Sequence, residues 1–501
     1  MFTSGTRQLL AKSNKLCLKS GSYLKTFSAK FTTCDLYALV EPTEPKVVTE
    51  NSPGPNSLKI QAEISNFQDI RPMIFSTGIP FSSSFISSLP FCENSFSQIS
   101  SIPLGYNHHA ILDVCSSPEM VLSLANRPSL TLLPPTNWAD KLQNIHMKVA
   151  PKGLTNVFNT VDGSSANDLA FKAAFIAYKE MRGLPDELSE QELSTSMDNA
   201  SPGSPDLSIL SFRNGFHGRT MSTLSATRTK PIHKVGIPAF KWPAVDFPQL
   251  RYPLEKFEKE NAAEEKRCLD QVEHIIKTSK TPIAGLIVEP IPSEGGDLHA
   301  SNQFFQKLRK ITKDNGVVMI VDEVQTGVGA TGKFWAHEYW ELDTPPEIVT
   351  FSKKMQAAGF YHQAQLRPKI PMRQFNTWMG DPSRTLIAGA IISEIESQSL
   401  VEKTKATGDY LMSHLKPISI RYNKLVQNVR GKGTLVAFDC PTPEYRDMFV
   451  SLMRSEGVLI YACGNRSVRF RPALIFSKSH VNVFLPRFES VLNKMYKQLW
   501  S

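Results

Sequence analysis

The sequence lacks several features that define familiar classes of protein. No stretch approaches the ~18 consecutive apolar residues of a membrane-spanning helix. The 7 cysteines are scattered and include no CxxC pair, which argues against a disulfide framework or a zinc site and suits a reducing compartment. No GxGxxG follows a first predicted strand, so a dinucleotide-binding dehydrogenase is disfavoured.

Acidic residues are absent from residues 1–34, where basic, serine and leucine residues are mixed. This stretch carries most of the formal net charge of +9, so the net positive charge is weak evidence for binding to nucleic acid. The composition is typical of a mitochondrial transit peptide, and we predict that residues 1–34 direct the chain to the mitochondrial matrix. A disordered basic tail is the alternative interpretation.

The length of 501 residues suffices for two or three domains. Residues 35–104 begin with a Pro-, Glu- and Ser-rich stretch and predict an N-terminal arm that is part of the small domain and divergent at 73–97. Residues 105–385 predict a large domain, and residues 386–501 predict a smaller α+β domain. Residues 189–206 are rich in Ser, Glu, Asp and Pro and predict a loop.

Strands and helices alternate in the middle of the large domain. The segment 286–288 is typical of a short buried strand that ends at Glu289. A helix that Ser301 caps comes next, and the apolar run 317–321 then ends at Asp322. This order predicts an α/β fold with a parallel sheet, whose ligands collect at the carboxyl ends of the strands.

A lysine pair, Lys353 and Lys354, follows the strand that delivers Asp322. A pyridoxal phosphate enzyme needs this combination, because the Asp keeps the pyridine nitrogen protonated and a lysine holds the aldehyde as a Schiff base. Apolar Phe351 and Met355 flank the pair and predict that at least one lysine points inward. Burial lowers the pKa of a lysine, which suits imine formation.

Two further segments are candidates for the same site. Gly163–Asn167 precedes a predicted helix over 167–178, and its small residues let backbone N–H groups approach a phosphate. Phe216–Thr220 offers an aromatic ring to stack on a pyridine and an arginine to bind a carboxylate. Each segment alone is typical of a surface turn. Together with Asp322 and the lysines they predict a cofactor site.

The order and spacing of these residues resemble the class III, fold-type I aminotransferases. The likeness runs from about residue 97 to 475 and is carried by these segments: Ser97–Tyr106, Asn126–Pro128, Phe216–Met221, Val288–Asp297, Val321–Gly327, Gly332–Glu338, Phe351–Lys354, Phe375–Trp378, Gly380–Pro382 and Arg469–Pro472. Within the family it is greatest to members of animal mitochondria that act on 4-aminobutyrate (GABA). It implies a homodimer whose subunit has a large, mostly parallel α/β domain and a smaller α+β C-terminal domain.

The resemblance implies a role for each residue around a pyridoxal 5'-phosphate ring. Asp322 would pair with the pyridine nitrogen and Gln325 would reach the ring hydroxyl. Phe216 would stack on one face of the ring, and Val324 would support the other. The Phe-x-Lys spacing of the family would assign the Schiff base to Lys353.

The same likeness assigns the phosphate to a helix start and to the partner subunit. Gly163 and Ser164 would hold the phosphate, and Thr377 would reach it across the homodimer interface. Ile102 would contact the substrate. The family's vertebrate members place two cysteines, which bind an iron–sulfur cluster, where this chain has Asp162 and Ser165, so we predict no cluster.

The implied reaction is transamination of GABA with 2-oxoglutarate to succinate semialdehyde and glutamate. Arg219 would take the distal carboxylate, and Glu294 would neutralise Arg469 until a second carboxylate needs it. The sequence departs from the family at Phe81–Asn94, where the usual hairpin pattern is missing, and at Ala358, where glycine is usual. A relative acting on β-alanine or ornithine, or a catalytically weakened cofactor-binding homologue, are the alternatives.

Overall fold

The computed structural model of the protein describes residues 54–67, 99–126, 133–184 and 187–500. The predicted transit peptide and the divergent stretch Phe81–Asn94 lie outside the described residues. Among the helices in the described ranges, none is both long enough and apolar enough to cross a membrane.

The described part of the large domain is built on a seven-stranded sheet. Its strands are β1 (Asn156–Thr160), β2 (Ser208–Phe212), β3 (Ala244–Val245), β4 (Ile283–Val288), β5 (Val318–Asp322), β6 (Ile348–Phe351) and β7 (Ala358–His362). Their spatial order is β1-β7-β6-β5-β4-β2-β3. Strand β7 is antiparallel to β1 and β6, and the other neighbours are parallel. The sheet is thus mostly parallel, as predicted.

Helices cover both faces of this sheet. In chain order the helices are α1 (Pro55–Ile64), α2 (His109–Cys115), α3 (Pro118–Ala125), α4 (Trp138–Lys141), α5 (Gly163–Ile176), α6 (Glu190–Met197), α7 (Met221–Ala226), α8 (Glu258–Thr278), α9 (Asn302–Asp314), α10 (Pro382–Ser397), α11 (Leu400–Arg421), α12 (Pro443–Ser455) and α13 (Lys478–Trp500). Met319 and Val321 face the apolar cluster containing α9, whereas Val318 and Ile320 face the cluster containing α5. Because β5 is buried on both faces, its sequence is a continuous apolar run.

A second, smaller sheet lies in the C-terminal part of the chain. Strands β8 (Gln427–Lys432), β9 (Leu435–Asp439), β10 (Tyr461–Cys463) and β11 (Ser467–Arg469) form an antiparallel sheet in the order β10-β11-β9-β8. Its apolar cluster runs from Leu411 to Met495 and includes residues of α11, α12 and α13. Helix α10 and Leu400 pack instead into the large cluster. We propose that the boundary between the two predicted domains lies nearer residue 400 than 385.

The local predictions are met at some elements and not at others. Ser301 caps α9, because its Oγ accepts a hydrogen bond from Phe304 N at 3.1 Å. The loop predicted over 189–206 is wrong in part, since it contains α6. Ser189 and Glu192 form a capping box, in which each side chain accepts a hydrogen bond from the other residue's backbone N–H. That S-x-x-E spacing is visible in the sequence and outweighs the polar composition.

Candidate active site

Three chain segments meet at the carboxyl edge of the sheet. Val288 of β4 lies opposite Val321 of β5, and Asp322 lies opposite Thr350 of β6. Parallel strands end at the same edge of a sheet, so the residues that follow β4, β5 and β6 are neighbours. Glu289, Asp322 and the lysine pair therefore share one region.

Asp322 is buried and accepts several hydrogen bonds. Its Oδ2 accepts from Asn167 Nδ2 and from His217 Nδ1, both at 2.8 Å, and its Oδ1 accepts from Val324 N at 3.1 Å. Asn167 also donates to the backbone oxygen of His217 at 2.8 Å. The carboxylate is therefore fixed in one orientation by three different segments of the chain.

Glu289 is a second buried carboxyl group at this edge. Its Oε1 accepts a hydrogen bond from Phe216 N at 2.8 Å and its Oε2 accepts from Ser293 N at 3.3 Å. Burial, reinforced by the charge of Asp322, raises the pKa of Glu289 well above its usual range. Glu289 therefore holds a proton more readily than an ordinary glutamate. Its hydrogen bond with Phe216 N also fixes the backbone position of Phe216.

The two adjacent lysines have different surroundings. Lys354 is 2% exposed, and its Nζ donates to the backbone oxygens of Gln325 at 2.6 Å and Gly327 at 3.2 Å. Lys353 is partly buried, and its side chain makes no hydrogen bond within the described residues. Burial lowers the pKa of Lys353, and the carboxylates of Glu294 and Asp322 offset this only in part.

The backbone at Lys353 is unusual. Lys353 begins a short 3₁₀ turn after β6 and has φ +40°, in the left-handed region that side chains other than glycine seldom adopt. Such a conformation persists only where the surrounding structure imposes it, and it is frequent at active sites. Lys354 Nζ therefore binds the loop after β5, whereas Lys353 Nζ makes no hydrogen bond to that loop within the described residues.

The start of α5 lies against the lysine turn. A Cβ atom at Gly163 would come within 2.8 Å of Val324 Cγ1 and 3.4 Å of Ser352 Cβ, so a larger residue would require Val324 to shift. A Cβ atom at Gly218 would lie 2.5 Å from Ser164 Oγ, and Arg219 N donates to the same oxygen at 3.4 Å. The N-terminus of a helix, which attracts anions, is thereby placed among the predicted site residues.

Gln325 is held by a buried ion pair. Its Oε1 accepts a hydrogen bond from Arg471 Nε at 3.0 Å. Arg471 Nη1 binds Asp297 Oδ2 at 2.9 Å, and Arg471 Nη2 binds the other carboxylate oxygen. Arg471 therefore orients Gln325, and its own charge is paired with that of Asp297.

Glu294 and Arg469 form an ion pair, with Arg469 Nη2 2.7 Å from Glu294 Oε1. Burial raises the pKa of Glu294, but the charge and hydrogen bond of Arg469, together with the charges of Lys353 and Arg471, lower it by more, so the net pKa lies below the usual range. Arg469 is 4% exposed, and its Nε and Nη1 are buried without a hydrogen-bond partner in the described part of the chain. Unpaired buried donors are costly, so this guanidinium has capacity for a further acceptor.

Phe216 and Arg219 lie together at the outer side of the site. The guanidinium of Arg219 lies 5.9 Å from the centroid of the Phe216 ring. Arg219 Nη2 is 3.2 Å from His233 Nε2, and the rings of Phe216 and His233 meet edge-on with centroids 6.0 Å apart. Arg219 is otherwise exposed, as expected for a group that meets an incoming carboxylate.

Ile102 and Thr377 occupy different positions relative to this group. Ile102 is partly buried, in a segment tied by Gln356 Nε2 to Ser101 O at 3.2 Å and by Leu474 N to Pro103 O at 2.7 Å. Thr377 is exposed, and its side chain makes no hydrogen bond within the ranges that the structure describes. The single chain therefore brings Ile102 beside the lysine segment and leaves Thr377 on the surface.

Two departures from the family pattern have ordinary local roles. Asp162 is the N-cap of α5, since its Oδ1 accepts from Ser165 N at 2.8 Å. Ala358 is buried in β7 and pairs with Thr160 of β1. The φ angle of Ala358 is not positive, so the backbone at this position does not require glycine.

Several contacts escaped the sequence interpretation. His217 lies inside the Phe216–Thr220 segment, yet its bond to Asp322 depends on the sheet order, which places β2 and β5 on either side of β4. Asn167 stands one helical turn after Gly163, and this spacing is the available signal that it faces the same site. His233 carries no signal in its sequence context.

The fold and the residues at its carboxyl edge define a class. The chain belongs to the class-III aminotransferases, whose family profile matches residues 94–492. The 4-aminobutyrate aminotransferase of Dictyostelium discoideum is 49% identical over 487 residues, 96% of this chain and 98% of that protein. The mitochondrial 4-aminobutyrate aminotransferase of Sus scrofa is 47% identical over 400 residues, 79% of this chain and 80% of that protein.

A solved structure agrees with the fold. The lysine aminotransferase from M. tuberculosis in the internal aldimine form matches with a TM-score of 0.70 and 30% identity, over 80% of this chain and 89% of that one. These likenesses confirm the predicted family and the predicted α/β fold class.

Proposed function

We propose that this protein transfers the amino group of GABA to 2-oxoglutarate, giving succinate semialdehyde and glutamate. The observation that carries the proposal is the arrangement of two arginines: Arg219 is exposed and has no carboxylate partner among the described residues, whereas buried Arg469 is paired with Glu294. One carboxylate site is thus open and a second is masked. The relatives named 4-aminobutyrate aminotransferase, similar over most of the chain, support the same substrate.

The residues fit pyridoxal 5'-phosphate, the cofactor that the family implies. When bound, this cofactor supplies a ring that withdraws electrons from the carbon bearing the amine. Asp322 would hold a proton at the ring nitrogen, with Gln325 at the ring hydroxyl. Phe216 and Val324 would contact the two faces of the ring. The buried Asp322 and the close approach at Gly163 are the structural features that support this fit.

The phosphate and the aldehyde would be held at two further points. Gly163 and Ser164 would donate backbone N–H and hydroxyl hydrogens to the phosphate at the start of α5. Lys353 Nζ would hold the aldehyde carbon, with the aldehyde oxygen lost as water, because its lowered pKa favours the neutral amine that attacks a carbonyl. Once displaced, the same amine would move a proton between the substrate carbon and the cofactor.

The substrates would differ in how they use the arginines. Arg219 would bind the carboxylate of GABA, which lies at the far end from the amine, and Ile102 would contact its chain. Glutamate has an additional α-carboxylate, which would bind Arg469 after Glu294 turns away. The unpaired Nε and Nη1 of Arg469 support this second binding mode.

A panel of amine donors tests the proposed function. With 2-oxoglutarate as acceptor, we expect GABA to give the highest kcat/KM among GABA, β-alanine, ornithine and lysine. A preference for β-alanine or ornithine would replace GABA as the substrate and keep the ω-aminotransferase class. Cofactor binding without turnover of any donor would instead indicate a catalytically weakened homologue.

Glu294→Gln is expected to shift the choice of donor. The substitution keeps the size of the side chain and removes the charge that masks Arg469. We expect the ratio of kcat/KM for GABA to that for L-alanine to fall about 10- to 100-fold, since a hydrogen bond to a charged group contributes about 1.5–3 kcal/mol. Steady-state kinetics with both donors measure this ratio. An unchanged ratio would remove Glu294 from substrate selection.

We infer that the active form is a homodimer in which Thr377 of one subunit reaches the phosphate of the other. Large apolar side chains are exposed beside Thr377, at Met372 and Trp378, and on the turn after Arg219, at Ile232 and Val235. Burying these side chains against a partner subunit would remove their apolar surface from water, which favours association. A monomer in sedimentation velocity of the active protein would contradict the proposal.

We further propose that the protein lies in the mitochondrial matrix and binds no iron–sulfur cluster. The acid-free residues 1–34 and the mitochondrial relative from Sus scrofa support the location. The absence of a cluster is supported by the side chains at the two positions, because neither Asp162 nor Ser165 offers a thiolate. Asp162 instead caps α5 by accepting a hydrogen bond from Ser165 N. A fluorescent fusion of residues 1–34 tests the location. Stoichiometric iron and acid-labile sulfide in the pure protein would overturn the second prediction.

A further inference from the structure

His233 is a partly buried histidine beside the proposed carboxylate site. It ends a short 3₁₀ turn, Pro231–His233, on the segment that follows α7. Lys234 anchors this turn, because its Nζ donates to Thr227 O at 2.7 Å. Thr227 Oγ1 in turn accepts from His217 N at 3.0 Å and donates to Gly218 O at 2.9 Å. The turn and the backbone next to Arg219 are therefore held together.

The contact between Arg219 and His233 fixes the chemistry of the imidazole. Arg219 Nη2 lies 3.2 Å from His233 Nε2. A guanidinium has donors and no acceptor, so His233 Nε2 must accept the hydrogen bond and the ring proton must lie on Nδ1. An imidazolium has no free lone pair and would face Arg219 with like charge. The contact therefore exists only while His233 is neutral.

The charged groups around His233 favour its neutral form. Burial lowers the pKa of His233, and the positive charges of Arg219 and Lys230 lower it further, while the carboxylate of Glu294 partly offsets them. The ring is therefore uncharged at neutral pH. It also meets the Phe216 ring edge-on, which restricts its orientation. His233 is a fixed acceptor rather than a mobile surface group.

Arg219 needs such a restraint because its side chain is long and exposed. A free arginine loses conformational entropy when it binds a carboxylate, and the loss weakens binding. The bond to His233 and the contact with Phe216 hold the guanidinium in place before the substrate arrives. The binding of the distal carboxylate should then depend on a residue that does not touch the substrate.

We propose that His233 is a positioning residue that orients Arg219 for the carboxylate at the far end of the substrate. This inference rests on the proposed function, because it assigns that carboxylate to Arg219. It goes beyond it by making selection for an ω-carboxylate depend on a neutral histidine. An amine without a carboxylate, such as n-butylamine, should not sense His233.

Single-turnover reaction of the holoenzyme with GABA or n-butylamine tests the proposal. We expect His233→Leu to raise the apparent Kd for GABA about five-fold, as one side chain regains its freedom. The maximal rate and the reaction with n-butylamine should change less than two-fold. His233→Gln offers an acceptor oxygen near the position of Nε2 and should restore GABA binding. Equal losses for both amines in His233→Leu would indicate a general structural effect and overturn the proposal.

The pH dependence and the ring tautomer provide independent measurements. Because the pKa of His233 is lowered, the ring is expected to gain a proton only as pH falls through that lowered pKa, and the apparent Kd for GABA should rise there in the wild type. The same profile should be flatter in His233→Gln. Nitrogen-15 chemical shifts of the ring should show an unprotonated Nε2 at pH 8. A protonated Nε2, or identical profiles, would overturn the proposal.

Arg219→Lys separates failure of this inference from failure of the proposed function. If Arg219→Lys leaves GABA binding unchanged, the proposed carboxylate site is wrong, whatever His233 does. If Arg219→Lys weakens GABA binding and His233→Leu does not, only the positioning inference fails. If both weaken it, the double variant decides. We expect it to be no weaker than Arg219→Lys alone, whereas additive losses would contradict action through Arg219.

Discussion

Lys353→Ala is expected to reduce transamination about a thousand-fold or more, because the proposed covalent attachment and the proposed proton carrier are lost together. Lys353 lies on a strained turn with φ +40°, and burial lowers its pKa. The variant should also lose the visible absorbance of covalently held cofactor. Reduction with borohydride followed by mass spectrometry should find no cofactor attached to the chain.

Lys354→Met is the matched control, since it alters the adjacent lysine and keeps the length of the side chain. Lys354 Nζ donates to two backbone oxygens, of Gln325 and Gly327, so its loss should destabilise the fold by about 1–3 kcal/mol. Cofactor attachment should persist in this variant. Attachment that survives Lys353→Ala and disappears in Lys354→Met would reverse the assignment of the two lysines.

The sequence was most informative where one element carries its own signal. The apolar run before Asp322 predicts a buried parallel strand, because both faces of that strand contact apolar residues. The cap at Ser301 is equally local. The capping box of Ser189 and Glu192 is local too, but the polar composition of residues 189–206 led to the prediction of a loop instead of a helix.

Other features depend on contacts that no local pattern encodes. The choice between Lys353 and Lys354 rested on resemblance, whereas the structure separates the two amines through the direction of one turn. The bond from His217 to Asp322 joins segments whose approach is set by the sheet, and the bond from Arg219 to His233 depends on the turn that Lys234 anchors to Thr227. Such pairs become visible only when the tertiary packing is known.

Asp322→Asn is expected to lower the rate about 10²–10³-fold, the typical loss when one preorganised electrostatic group is removed. The amide cannot reproduce the contacts of the carboxylate. If its oxygen accepts from His217 and Asn167, its NH₂ group faces Val324 N–H, and in the opposite orientation it faces the other two donors. A donor therefore remains unpaired in either orientation, and the negative charge that would hold the ring proton is lost.

The measurements are turnover, cofactor affinity and thermal unfolding of the cofactor-free protein. We expect weaker cofactor binding and a loss of about 1–3 kcal/mol in the free energy of unfolding, because a buried donor is left unsatisfied.

Glu289→Gln is the matched control at the end of the neighbouring strand. Because burial and the Asp322 charge raise the pKa of Glu289 well above its usual range, the neutral amide replaces a group that already favours its neutral form. That variant should lose less than about ten-fold, because the oxygen that accepts from Phe216 N remains and the bond lost from Ser293 N is the longer one, at 3.3 Å. Equal losses in both variants would mean that buried packing at the strand ends, and not the charge of Asp322, accounts for the effect.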